Sequence, residues 1–143
     1  MINEKEVRLR VASVIDNLTP SGLADGEPER TEISVLGKIS VSPDAVTLKY
    51  REQPDGATVS TEIVIFHSSV RVKRSGSIES EMYFEEGVVH TSLYSVPPYS
   101  FDTEIKTRKI RNGITVDGGR LDIYYDMKIG GADKSVKMSV SLM

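Results

Sequence analysis

Cysteine and tryptophan are absent from this chain of 143 residues, and histidine occurs at just two positions, His67 and His90. Without cysteine there is no disulfide, no thiolate metal site and no cysteine nucleophile, a composition that suits a reducing compartment. Zinc and iron need three or four ligands at close spacings such as His-x-Glu. His67 sits in the turn Phe66-His67-Ser68-Ser69 and His90 shares a strand face with Val88, Ser92 and Tyr94, so neither belongs to such a set. No metal and no cofactor is expected. Long apolar runs are missing as well, and nothing approaches the ~20 residues that a membrane helix requires. The first residues, Met1-Ile2-Asn3-Glu4-Lys5-Glu6-Val7-Arg8, are polar and mixed in charge, unlike the basic start and apolar stretch of a secretory signal. The expectation is a cytoplasmic protein with no membrane partner.

An excess of positive charge is also lacking: the net charge is −3, which gives no global field to attract nucleic acid. Two local basic clusters, Arg71-Val72-Lys73-Arg74 and Lys106-Thr107-Arg108-Lys109-Ile110-Arg111, alternate with apolar or small residues, as the wet side of a strand does. The three phenylalanines and six tyrosines do not interleave with basic residues to form a base-stacking platform. No nucleic-acid partner is expected.

Helical periodicity is the last absence, and alternation with period two takes its place. Val7, Leu9, Val11 and Ile15 fall on odd positions, with Arg8 and Arg10 between them. The segment from Asn17 to Pro28 is rich in turn-formers and reads as a loop. Ile33, Val35, Ile39 and Val41 give a second strand, with Gly37 on the same face marking a bend or a close backbone approach. Strands then alternate with Pro43-Asp44, Pro54-Asp55-Gly56, Gly76, Glu85-Glu86-Gly87, Val96-Pro97-Pro98-Tyr99, Asn112-Gly113, Gly118-Gly119 and Gly130-Gly131. The cleanest alternation is Leu121, Ile123, Tyr125, Met127 and Ile129, and Val136, Met138, Val140 and Leu142 form a last strand. About nine or ten strands with short links and no crossover helix predict one all-β domain over residues 1–143. A single antiparallel, mostly up-and-down barrel removes exposed edges; a two-sheet sandwich is the alternative.

From Val70 to Ile129 the chain resembles the YwiB-like family, bacterial proteins of unknown function in the calycin superfamily of β-barrels. The resemblance rests on Val70-Arg71-Val72-Lys73-Arg74-Ser75-Gly76, Met82-Tyr83-Phe84, Tyr94, the run Phe101 to Ile105, Thr107 and Leu121-Asp122-Ile123-Tyr124-Tyr125-Asp126-Met127. It implies a calycin-like barrel and supplies no activity. Where the family carries a Thr-Pro-aromatic-Gly turn, this chain reads Val96-Pro97-Pro98-Tyr99, which implies a different barrel mouth.

No catalytic constellation emerges. Arg74-Ser75-Gly76-Ser77 lacks the elbow of a serine nucleophile and reads as a bulge; Glu79, Glu81, Glu85, Glu86, Asp102 and Glu104 occupy turns or alternating outward positions. Arg74 is the exception among the charged residues, because it shares parity with Val70 and Val72 and so points inward. A buried guanidinium must be paired or hydrogen-bonded. Tyr50, Tyr94, Thr107 and Tyr125 share parity with core residues of their own strands and line the same interior. Arg74, Tyr94, Thr107 and Tyr125 therefore either close one end of the barrel as a polar cluster or anchor a small, apolar, anionic ligand. Bulky residues such as Phe84, Phe101, Leu121, Met82, Met127 and Met138 favour the opposing reading, a filled barrel serving as a homo-oligomeric or protein-interaction module.

Overall fold

Alternating apolar and polar side chains make each segment dry on one face and wet on the other, and a sheet buries such a face by curling on itself. The computed structural model describes residues 3–53 and 56–142. Among them are ten strands: β1 (Asn3–Asn17), β2 (Glu29–Val41), β3 (Val46–Glu52), β4 (Val59–Ile65), β5 (Val70–Gly76), β6 (Glu79–Phe84), β7 (Val89–Val96), β8 (Tyr99–Asn112), β9 (Gly119–Ile129) and β10 (Ala132–Leu142). Each pairs antiparallel with its sequence neighbour, and β1 closes on β10, which makes an up-and-down barrel and rules out the sandwich. Residues 54 and 55 of the expected Pro54-Asp55-Gly56 turn lie outside the described residues.

Parity places the core. Leu9, Ile39, Leu48, Ile63, Val72, Phe84, Ile105, Leu121, Ile123 and Val140 are fully buried in the lumen. Full burial of such a side chain is worth roughly 1.5–3 kcal/mol. One end is sealed by the β8–β9 connection, where Ile114 is buried, Val116 packs on the core and the Lys5 ammonium donates to the Val116 carbonyl at 3.3 Å. Gly37 answers the expectation of a close approach: a Cβ there would lie 2.5 Å from the Lys49 carbonyl oxygen and 2.9 Å from Leu9 Cδ1.

Two local readings are corrected. Arg74-Ser75-Gly76-Ser77 is not a bulge: the β4–β5 ladder runs unbroken to Val59 opposite Gly76, and Gly76 turns the chain at φ +115°. The irregularity lies in β8 instead, between Thr107 and Lys109. Phe101 is not core; it lies near the start of β8 at the open end of the barrel, beyond the packed layers, and is 39% exposed.

The wall is uneven. The β2–β3 ladder runs from Val41 opposite Val46 only as far as Gly37 opposite Tyr50, although β2 continues to pair with β1 down to Glu29. β6 and β7 are paired at Glu79–Ser95 and Ser80–Tyr94 and then part, and the rings of Tyr83 and His90 meet edge-on beside that opening, 4.7 Å apart.

Candidate functional site

The polar residues of the interior are ordered by the ladder register. Tyr50 lies opposite Thr61, Thr61 opposite Arg74, Arg74 opposite Ser80, and Ser80 opposite Tyr94, so five strands contribute one polar belt. This belt runs near the ends of β3, β5 and β7 and the starts of β4 and β6, which is the end of the barrel away from the Ile114 seal. There the lumen is not filled. A cavity of about 260 Å³ is bounded by Arg74, Ser80 and Tyr94 from the belt, by Tyr125 and Thr103, and by Met82, Met127 and Met138. Methionine suits such a wall because its flexible thioether fills irregular space and yields to a ligand.

Charge in this cavity has one sign. Arg74 and Lys134 both border it, and among the described residues no aspartate or glutamate does. Among the described residues Arg74 makes no salt bridge, and its buried Nε has no hydrogen-bond partner. The paired guanidinium expected from the sequence is thus inward-facing but lacks an ionic mate. Lys134 donates to Asn17 Oδ1 at 2.6 Å, a neutral acceptor, and makes no salt bridge among the described residues. The hydroxyl oxygens of Thr61, Ser80, Thr103 and Thr107 are buried without a partner as well. Unsatisfied buried polar atoms each cost about 1–3 kcal/mol, and of these four residues Ser80 and Thr103 border the cavity.

Two tyrosines register the same field. Burial pushes the Tyr125 hydroxyl up to about 12, and the Arg74 charge opposes that shift. Burial likewise raises Tyr50, again against the pull of Arg74.

The structure therefore brings together three of the four residues singled out by parity: Arg74, Tyr94 and Tyr125 border one cavity. Thr107 does not join them. It is fully buried, but it does not border the cavity. Lys134 and the three methionines were not singled out as site residues, although the β10 alternation Val136, Met138, Val140 extends back to Lys134 and carried that signal. His67 is exposed in its turn, and His90 packs on Tyr83. Among the described residues no group of three or more His, Cys, Asp or Glu side chains converges as a metal would require.

A closed ten-stranded meander, sealed at one end and hollow at the other, defines the chain as a β-barrel protein with a candidate internal site. Residues 19–141 match the family described as "Domain of unknown function (DUF1934)", and the chain belongs to that family. It is 28% identical over 130 residues to the "Uncharacterized beta-barrel protein YwiB" of Bacillus subtilis (strain 168), covering 91% of this chain and 87% of the relative. The crystal structure of the ywiB protein from Bacillus subtilis superimposes with a TM-score of 0.81 at 26% identity, over 98% of this chain and 93% of the other. The YwiB-like resemblance and the single antiparallel barrel are both confirmed. No helix among the described residues is long and apolar enough to cross a membrane.

Proposed function

We propose that the open half of the barrel binds a small, largely apolar molecule carrying one carboxylate, with Arg74 as its anchor. The observation that carries this reading is the Arg74 guanidinium, with no salt bridge and an unpartnered buried Nε, in a methionine-lined cavity that no acidic side chain among the described residues borders. Ligand pockets are commonly built in this way, with apolar walls and a few polar anchors that fix orientation. Arginine suits a carboxylate because its planar fork matches both oxygens. A volume of about 260 Å³ corresponds to about nine groups the size of a water molecule at ~30 Å³ each, so an eight-carbon acid is the right scale. Lys134 adds a second cation at the same cavity. We place the protein in the cytoplasm, on the ground that a chain without cysteine suits a reducing compartment.

Octanoate is the probe. At 100 times its dissociation constant it stabilises the fold by about 2.7 kcal/mol, which raises the melting point by several degrees. Octan-1-ol, equal in length but uncharged, gives a much smaller shift, and Arg74→Gln abolishes the difference between the two. Equal shifts from both probes, or none from either together with no small molecule co-purifying by native mass spectrometry, overturn the reading in favour of an interaction module.

A further inference from the structure

The register of β2 leaves one edge of the barrel without a strand beside it. From Arg30 to Leu36, β2 pairs with β1, but its other side meets no strand among the described residues, because β3 joins it only from Gly37 onward. In an antiparallel strand, alternate residues direct both their N–H and C=O to the same side, so about three or four of these seven aim both groups at the free edge. Natural sheets protect such an edge with charged side chains, proline, a bulge or a cover; Arg30–Leu36 carries Arg30 and Glu32 but no proline, and its ladder with β1 is regular.

Beside this edge the outer wall carries an open groove of about 640 Å³. Its cations are Lys38, Lys49, Arg51 and Lys73, set against Glu6 and Glu62. Lys38 and Lys49 reach carboxylates at 3.6 Å, whereas Arg51 and Lys73 make no salt bridge among the described residues. A basic groove on a chain of net charge −3 is a local feature. On the inner face of the same stretch, Ile33 and Val35 are half-buried and pack on the core.

We propose that this edge binds an extended peptide of another protein in which acidic and apolar residues alternate. Added as a strand beside β2, it satisfies the free backbone groups, directs its acidic side chains towards Arg51 at the end of β3, and extends the Ile33–Val35 surface with its apolar ones. This site is separate from the Arg74 cavity and stands or falls independently of it.

The test uses the whole chain and an acetylated ten-residue peptide alternating glutamate and valine, labelled for fluorescence polarisation. Saturable binding that weakens with salt, and slower hydrogen–deuterium exchange across residues 30–36, are expected. Arg51→Glu, at an exposed position, lowers affinity at least tenfold while the melting point stays unchanged. A lysine–valine peptide binds at least tenfold more weakly than the glutamate–valine peptide. Equal binding of the two peptides, no binding of either, or protection of residues 30–36 by self-association in sedimentation without peptide overturns the proposal.

Discussion

Arg74 on β5 and Tyr125 on β9 face one cavity, and the cation works against the burial that holds the tyrosine hydroxyl near pKa 12. In the unfolded chain that tyrosine titrates near 10. Between these values the unfolded state has released a proton that the folded state keeps, so stability is full below pH 10 and falls as the pH rises toward 12. Two pH units correspond to about 2–3 kcal/mol. Urea midpoints measured from pH 9 to 11.5 should fall steeply for the wild type and less for Tyr125→Phe, the remainder coming from Tyr50, which is raised in the same direction. Parallel loss in both proteins would show that Tyr125 is ionised freely in the fold.

The lack of an ionic partner sets the outcome of replacing Arg74. Removing one member of a buried ion pair costs about 3–5 kcal/mol, because the other charge is left stranded. Here no carboxylate lies within salt-bridge distance among the described residues, so Arg74→Met strands no opposite charge. Its unfolding free energy in urea should stay within about 1 kcal/mol of the wild type or exceed it, while octanoate loses its stabilising effect. A loss above about 3 kcal/mol would make Arg74 part of a structural cluster instead.

Parity along the sequence was enough to predict which side chains face inward, and for Arg74, Tyr94 and Tyr125 it also identified the cavity wall. It could not give depth. Thr107 and Phe101 share one parity on β8, yet Thr107 is fully buried and Phe101 stands 39% exposed at the open end. What separates them is the stagger of neighbouring strands, which is set by long-range pairing and leaves no mark on local alternation. The same applies to the free edge of β2, which exists because the β3 ladder stops at Gly37. Alternation in β2 itself continues without a break from Ile33 to Val41. Lys134 was legible by parity, but a lysine near a strand start reads as solvent-facing unless the facing wall is known.

Gly37 marks the point at which β2 and β3 part, and its lack of a side chain is what lets the Lys49 backbone come close. An added Cβ would sit 2.5 Å from the Lys49 carbonyl oxygen and 3.2 Å from Tyr50 Cβ. Backbone cannot swing aside as a flexible side-chain end can. Gly37→Ala should therefore cost about 1–3 kcal/mol in denaturant unfolding. A cost below about 0.5 kcal/mol would mean that the two strands separate further without penalty.

Thr107 offers the cleanest separation of structure from binding. Its side chain is fully buried, its hydroxyl has no partner among the described residues, and it does not border the cavity that Arg74 faces. Valine has nearly the same shape and replaces the stranded hydroxyl with a methyl group, which relieves a desolvation penalty without opening a void. Thr107→Val should gain about 1 kcal/mol in urea unfolding, and octanoate should shift its melting point as much as it shifts that of the wild type. Thr103 has an unpartnered hydroxyl too, but it borders the cavity. Thr103→Val should therefore alter the octanoate shift where Thr107→Val does not. If Thr107→Val weakens octanoate binding as strongly as Arg74→Gln does, the ligand reaches deeper than the cavity bounded by Arg74 and Tyr125, and the boundary drawn here between packed core and open lumen is misplaced.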